Sequence, residues 1–295
     1  MRRALSIPLS LCLYAFAAAP ALAAPSADLP LVACGRLACI DASGPDGSPL
    51  RLVIDTGNGN TVLSQATAAR LKLAATPARG SDGAPLGDLS LTEPVALGLG
   101  EVKLAPTPLL VSKLESYNKA LGTPVDGVLS YTQLKGWIAE LDFRSGRFHL
   151  TQEAVVKPRS VLGAHYVKYR ANAAPVLVVD GLAIHGYPIR AQLDLAFEGG
   201  LLLFPDTMEP VGLGKTQAGE PVSMATYDAG APLDRIEPPT VAFDRTRLAL
   251  PSDGAFLATA EVRPPDNDIE AVVGRQAFSG HRLVLDFIHD QVGVD

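Results

Sequence analysis

LRLVIDTGNGNTVLS, residues 50–64, places a single carboxylate, Asp55, between two apolar runs. The pattern predicts a strand that ends at Asp55, a turn through Thr56 and Gly57, and a second strand over 61–64. A carboxylate at the end of a buried strand is costly unless hydrogen bonds or charges compensate it. Asp55 therefore has two interpretations: it caps a turn through its own backbone, or it is a catalytic acid.

The composition is that of a globular protein, with 47% hydrophobic and 19% charged residues. With 295 residues, the chain is long enough for two domains of ordinary size. Gly and Pro are abundant and aromatic residues are few, a mixture typical of short strands joined by turns. We therefore expect an all-β protein with short helices.

The beginning of the chain, residues 1–23, has the pattern of a secretory signal peptide. Arg2 and Arg3 precede an apolar run from Ile7 to Ala19, and the small residues of Pro-Ala-Leu-Ala follow, ending at Ala23. The apolar run is shorter than the ~20 residues of a spanning helix, so we expect cleavage rather than a stable membrane anchor. The protein would then be periplasmic or secreted.

The charge balance makes nucleic acid a poor partner. Loss of Arg2 and Arg3 with the signal peptide would move the formal charge from −6 to −8. No basic run or aromatic-basic patch interrupts this mildly acidic sequence. We therefore expect neither a nucleic-acid partner nor binding to an anionic membrane.

Cys34 and Cys39 are the two cysteines that remain after export. In an oxidising compartment such a close pair is typical of a disulfide, and two buried thiols are the alternative. A metal site is not expected, because no second cysteine or histidine cluster accompanies the pair. The five histidines show no metal-ligand spacing: His149, His165, His185, His281 and His289.

Two short motifs match known active sites only in part. Residues 116–119, Ser-Tyr-Asn-Lys, have the Ser-x-x-Lys spacing of penicillin-recognising enzymes, but no Ser-Asp-Asn or Lys-Thr-Gly follows. Residues 214–216, Gly-Lys-Thr, resemble the end of a phosphate loop, but Glu209 occupies the position of its first glycine. We interpret both as chance matches.

An internal repeat is the most informative feature of the sequence. Residues 125–150 align without a gap on residues 269–294, and the strand before Asp55 matches the strand before Asp194. The offsets of 144 and 139 residues fit a duplication with one small insertion or deletion.

This repeat predicts two tandem lobes, residues 30–153 and 165–295, related by approximate two-fold symmetry. A polar segment, residues 151–164, would link them. Within the first lobe a short helix is expected over 65–71. The Gly- and Pro-containing segment over residues 77–87 has too few apolar residues to be buried and is expected to be a mobile loop or hairpin tip.

Two acids brought together by such symmetry have a defined chemistry, which is that of aspartic proteases. Two Asp carboxylates about 3 Å apart cannot both ionise, so they share one proton. The charged member can activate a water molecule while the neutral member polarises a carbonyl group. The Thr56 hydroxyl could brace the loop against its symmetry mate, and Gly57 would let a backbone N–H approach the carboxylate.

Asp55-Thr56-Gly57, followed in the same lobe by Asp-Gly-Val-Leu at 126–129 and Leu-Asp-Phe at 141–143, resembles the retropepsin-like aspartic peptidases, including their exported bacterial members. The resemblance covers most of the first lobe. It implies retropepsin/pepsin-like β-barrel lobes, with Asp55, Thr56 and Gly57 as the catalytic loop and a bracing segment below it. It also implies a Gly-rich flap, for which the loop near residues 80–87 is the candidate, and no cofactor.

The second lobe departs from the family pattern after Asp194. Leu195 and Ala196 stand where the family has Thr or Ser and then Gly, so the bracing hydroxyl is absent on that side. The family's bracing glycine is present as Gly274 in the second lobe, whereas Ser130 takes its place in the first. Asp194 is therefore either the second acid of the catalytic pair or a residue that has lost that role.

Together these features predict an exported aspartic endopeptidase, with Asp55 activating water and Asp194 as its acid partner. One alternative is a binding protein for a peptide or another partner that has the same fold but no activity. Another is a homodimer that pairs two first lobes, against which the duplication argues, because the second lobe already occupies the symmetric position. A monomer is therefore expected.

Asp142 and Asp286 also repeat, but each stands where a strand enters a hairpin turn, a structural position.

Overall fold

The computed structural model describes residues 24–80, 83–153, 156–168, 175–213, 221–223, 232–258 and 268–295. The expected signal peptide, residues 1–23, lies outside the described residues. Two large β-sheets and two short α-helices make up the described chain, and the prediction of an all-β architecture is confirmed. Within these ranges, no helix is both long and apolar enough to span a membrane.

The first half of the chain contains thirteen described strands and both α-helices. The strands are β1 (Ala27–Pro30), β2 (Val32–Cys34), β3 (Leu37–Ser43), β4 (Pro49–Asp55), β5 (Val62–Ser64), β6 (Ala75–Arg79), β7 (Pro85–Thr92), β8 (Gly98–Leu99), β9 (Val102–Lys103), β10 (Leu110–Ser112), β11 (Gly127–Ser130), β12 (Ile138–Asp142) and β13 (Arg147–Thr151). The helices are α1 (Gln65–Arg70) and α2 (Glu115–Leu121), and a 3₁₀ turn covers Tyr131–Leu134.

The second half is built from a further series of strands. They are β14 (Ser160–Val167), β15 (Val176–Ile184), β16 (Tyr187–Asp194), β17 (Leu201–Leu203), β18 (Pro221–Ser223), β19 (Pro232–Arg235), β20 (Val241–Phe243), β21 (Thr246–Leu248), β22 (Ala255–Ala258), β23 (Ala271–Gly274), β24 (Arg282–Asp286) and β25 (Gln291–Val294). Turns of 3₁₀ helix cover Pro205–Thr207 and Arg275–Phe278.

The two lobes share one strand arrangement around their acids. In the first lobe, β11 runs parallel to β4 and antiparallel to β5. In the second, β23 runs parallel to β16 and antiparallel to β17. The registers also correspond, because Ser130 pairs with Asp55 and Gly274 pairs with Asp194. Each acid therefore ends a strand that is hydrogen-bonded between neighbours, which fixes its position.

A central sheet joins the lobes, with the strand order β1-β13-β12-β24-β25-β14. Strands β12 and β24 pair antiparallel, and the middle pair of their register is Glu140 with Val284. These two residues are 144 positions apart, so they are equivalent in the sequence repeat and the approximate two-fold axis passes between them. Strand β14 belongs to this sheet and begins at Ser160, within the segment expected to link the lobes.

Several local predictions can be compared with the structure. Helix α1 has Ser64 as its N-cap, whose hydroxyl accepts from the amide of Thr67. Strands β6 and β7 form a hairpin, and the amide of Gly80 donates to the carbonyl oxygen of Ala84 at its end, so the described part of the candidate flap belongs to a hairpin. Cys34 and Cys39 are joined by a disulfide, with their Cα atoms 5.9 Å apart, which confirms that prediction.

Candidate active site

Asp55 lies at the end of β4 and is 7% exposed. The three residues before it, 52–54, are fully buried, because both faces of this central strand are covered. After Asp55 the chain turns sharply, and one oxygen of the carboxylate accepts from the amides of Gly57, at 2.7 Å, and Asn58, at 3.2 Å. Two backbone donors therefore compensate part of the cost of burying this acid.

Asp194 occupies the same position at the end of β16 and is 8% exposed. One oxygen of its carboxylate accepts from the amides of Ala196, at 2.9 Å, and Phe197, at 3.1 Å. In both loops the two amide donors belong to the second and third residues after the acid. The loop keeps this geometry although its side chains differ from those of the first lobe.

Thr56 connects the loop of the first lobe to that of the second. Its hydroxyl donates to the carbonyl oxygen of Leu193 at 2.8 Å and accepts from the amide of Leu195 at 3.1 Å. Thr56 is fully buried, so neither bond competes with solvent. Leu195, which replaces the corresponding threonine, is 1% exposed and packs in the main hydrophobic core. The Thr56 hydroxyl thus bonds to the backbone of the residues before and after Asp194, whereas Leu195 of the second lobe contributes apolar packing.

Gly57 lies directly against the carboxylate of Asp194. A β-carbon at this position would be 2.2 Å from Cγ of Asp194 and 2.4 and 2.6 Å from its oxygens. Real side chains do not approach so closely, so the loop requires glycine here. The four residues proposed from the sequence as the site, Asp55, Thr56, Gly57 and Asp194, therefore meet at one point between the lobes.

The electrostatic surroundings of the two acids favour their protonated forms. Burial, and then the negative charge of Asp194, raise the pKa of Asp55 well above its ordinary value, against the lowering effect of its two backbone donors. Burial raises the pKa of Asp194 to about 6, again against two backbone donors. The site can therefore hold a single shared proton in weakly acidic solution.

The bracing segment behind Asp55 uses a serine where the family pattern has glycine. The hydroxyl of Ser130 donates to the carbonyl oxygen of Asn58, and the amide of Ser130 donates to the Thr61 hydroxyl at 3.0 Å. Ser130 is fully buried. The serine therefore supports the loop of Asp55 through hydrogen bonds of its own.

In the second lobe, an aromatic side chain supports the corresponding loop. Phe197 is fully buried and packs edge-to-face on Phe256, with ring centroids 6.1 Å apart. A β-carbon on Gly274 would lie 2.5 Å from the Phe197 ring and 2.3 Å from the carbonyl oxygen of Gly199. The glycine of the second bracing segment is thus needed because the Gly199 carbonyl and Phe197 fill the space where a side chain would lie.

Comparison with known proteins rests on structure alone. No protein-family model and no curated protein sequence matches this chain. The crystal structure of an aspartic proteinase from Irpex lacteus is similar, with a TM-score of 0.55 over 92% of this chain and 97% of that chain. The chain has the two-lobed, pepsin-like all-β fold. Sequence identity is 12%, so the likeness shows the fold and leaves the activity to be argued from the site.

The other repeated acids of this pepsin-like fold have structural positions. One oxygen of Asp142 accepts from the amides of Arg144, at 2.9 Å, and Ser145, at 3.3 Å, in a hairpin turn. Asp286 caps the equivalent turn and also pairs with His289 at 2.7 Å. Among the described residues, no group of three or more His, Cys, Asp or Glu is placed to hold a metal ion.

Helix α2 of the pepsin-like fold was not expected from the sequence, and it brings Tyr117 towards the site. The signal that could have revealed the helix is the spacing of Leu114, Tyr117 and Leu121, which lie on one face of a helix. All three pack in a cluster with Val53 and Ala196, residues that lie close in sequence to the two acids.

Proposed function

We propose that this protein is an exported aspartic endopeptidase, which hydrolyses peptide bonds of an extended peptide or protein bound between the lobes. The observation that carries the proposal is the pairing of Asp55 and Asp194. Both acids are buried, each is held by two backbone amides, and the Thr56 hydroxyl and Gly57 bring the two loops into contact. The pepsin-like fold supports a peptide as the substrate class.

In the proposed reaction, the ionised carboxylate takes a proton from water as the water oxygen bonds to the carbonyl carbon. The neutral carboxyl donates its proton to the carbonyl oxygen, which gives a tetrahedral diol. One hydroxyl of the diol then returns its proton to the second carboxylate, the first carboxyl protonates the nitrogen, and the C–N bond breaks. The pair ends with one shared proton, as it began, and no cofactor is consumed.

Three further features complete the proposal. Asp194 is the acid that ionises first, since its negative charge raises the pKa of Asp55, so Asp194 activates the water and Asp55 is the proton donor, the reverse of the roles expected from the sequence. Both acids belong to one chain, so the monomer is the active species. The hairpin of β6 and β7 is the candidate flap, and residues 1–23 direct export to the periplasm or beyond it.

The test is cleavage of a denatured protein by the purified chain, followed by mass spectrometry of the products. We expect Asp55→Asn and Asp194→Asn each to lower kcat by about 100-fold or more, because general acid–base catalysis contributes at least that much. Asp142→Asn is the matched control, since it removes a repeated acid that serves a turn. Full activity of Asp55→Asn would refute the peptidase proposal. Full activity of Asp194→Asn would refute the single-chain pair and favour a homodimer.

A second candidate is a binding protein for a peptide or another partner, on the same fold. The observation that favours it is the divergence of the second loop, where Leu195 and Ala196 replace the residues of an active peptidase loop. This candidate predicts that an extended peptide binds the wild-type chain without being cleaved over hours. Binding measured by calorimetry, together with intact peptide in the same sample, would favour it over the peptidase.

A further inference from the structure

The side chain of Tyr117 has an unexplained polar atom. Its hydroxyl is buried and, within the described residues, has no hydrogen-bond partner. Leaving a buried donor unpaired costs about 1–3 kcal/mol. Such a group in a folded protein therefore calls for an explanation, and a ligand or reacting molecule that is absent from the free chain is one of the few available.

Tyr117 is held in place by the hydrogen bonds of the next residue, Asn118, and by apolar packing. The side-chain amide of Asn118 donates to the carbonyl oxygen of Val125 at 3.3 Å and accepts from the Val125 amide at 3.1 Å. These bonds fasten α2 to the segment that leads into β11, the strand beside Asp55. The Tyr117 ring packs against the cluster that includes Ala196 of the opposite lobe. The ring is therefore fixed at the junction of the two lobes.

The hydroxyl of Tyr117 lies in the field of three acids. Burial, and then the negative charges of Asp55, Asp194 and Glu198, raise the pKa of the Tyr117 phenol above its ordinary value. The phenol therefore stays protonated throughout the range in which the two catalytic acids titrate. At the site it can act as a neutral hydrogen-bond donor.

We propose that the Tyr117 hydroxyl is a third donor of the active site, and that it binds the oxygen held between the two carboxyls. This oxygen belongs to water before the reaction and to the diol during it. The inference rests on the proposed function. Tyr117 keeps its proton throughout, so it forms no covalent bond and the proton balance of the two acids is unchanged. Its contribution is to orient the reacting oxygen and to stabilise the charge that develops there.

The first test compares Tyr117→Phe with wild type in peptide cleavage. We expect kcat to fall by about 10- to 100-fold with KM changed less than about twofold, since loss of one such donor acts mainly in the transition state. Thermal unfolding should be unchanged or occur at a higher temperature, because phenylalanine keeps the ring and removes an unpaired buried hydroxyl. Tyr187→Phe, at a site that is 44% exposed, is the matched control and should change neither quantity. A kcat within twofold of wild type for Tyr117→Phe would overturn the inference.

A second test separates this inference from the proposed function. Two peptide inhibitors are compared, one with a secondary alcohol in place of the scissile carbonyl and one with a methylene there. We expect Tyr117→Phe to bind the alcohol about 10-fold more weakly and the methylene compound as wild type does. Equal losses for both compounds, or none for either, would overturn the role of Tyr117. A wild-type chain that neither cleaves peptides nor prefers the alcohol would instead overturn the proposed function.

Discussion

Gly57 and the carboxylate of Asp194 are in direct contact across the boundary between the lobes. A β-carbon on Gly57 would stand 2.2 Å from Cγ of Asp194, well inside the closest approach of two carbon atoms. The corresponding residue of the other lobe, Ala196, carries a methyl group and is buried in the cluster beside Asp55. The two loops of the site are therefore unequal: one requires glycine against the opposite acid, and the other carries alanine.

Gly57→Ala should abolish most of the proposed peptidase activity. The added methyl group must displace the carboxylate of Asp194 or separate the lobes, and misplacing a catalytic group by about 1 Å can lower kcat by about 100-fold. Gly163→Ala is the matched control, because a β-carbon there meets nothing within 4 Å. The measurement is kcat on a peptide substrate, with circular dichroism to establish folding. Wild-type activity in Gly57→Ala would show that the contact is not maintained during catalysis.

Thr56→Val should lower both stability and activity. Valine keeps the shape of threonine but leaves the carbonyl of Leu193 and the amide of Leu195 unpaired and buried, which costs about 1–3 kcal/mol for each group. Thr56→Ser, which keeps the hydroxyl, should lie closer to wild type in both respects. Chemical denaturation gives the free energy of unfolding for the three proteins. If Thr56→Val is as stable as Thr56→Ser, the hydroxyl does not hold the lobes together.

The stability of the protein should depend on pH through Asp194. Its pKa is raised from 3.8 to about 6, so between these values the folded chain binds more protons than the unfolded chain. The stabilisation that the raised pKa of Asp194 contributes is complete below pH 3.8, the ordinary pKa of the group, and is lost as pH rises through about 6. Its size is on the order of 3 kcal/mol, by the conversion of 1.36 kcal/mol for each pKa unit.

Denaturation curves from pH 4 to pH 8 can measure this contribution together with the part of the Asp55 shift that the charge of Asp194 causes. The stability of wild type relative to Asp194→Asn should decrease as pH rises from 4 to 8, because Asp194 ionises in wild type whereas asparagine does not titrate. Comparing the two proteins removes the effect of acids such as Asp28 and Asp295, whose lowered pKa values act in the opposite direction. A constant difference across this range would mean that Asp194 has an ordinary pKa.

Reduction of the Cys34–Cys39 disulfide should destabilise the protein moderately. The bridge closes a short loop, and the chain-entropy model gives about 2 kcal/mol for a loop of this length. Thermal unfolding with and without a thiol reductant measures the effect, which should be a fall of several degrees. The double variant Cys34→Ala/Cys39→Ala is the control and should not respond to the reductant. An unchanged unfolding temperature for reduced wild type would contradict the prediction.

Several of the features that the sequence predicted correctly are local ones. The strand before Asp55 follows from a run of apolar and β-branched residues, and α1 begins where Ser64 can cap it. The disulfide follows from two cysteines close in the chain. Helix α2 was missed because its seven residues carry only a weak apolar pattern, and it is stabilised by packing and by the bonds of Asn118 to Val125.

By itself, the sequence determined the strand–turn–strand around Asp55, the alignment of that stretch with the one at Asp194, and the two-lobed all-β fold. Only the tertiary structure decided that Asp194 lies against Gly57 and is held as Asp55 is held, despite Leu195 and Ala196. The physical reason is that backbone amides hold both carboxylates, and almost every residue carries such an amide whatever its side chain. A sequence motif is defined by its side chains, so it does not show which hydrogen bonds the backbone makes. The positions of those backbone groups are set by the packing of one lobe on the other.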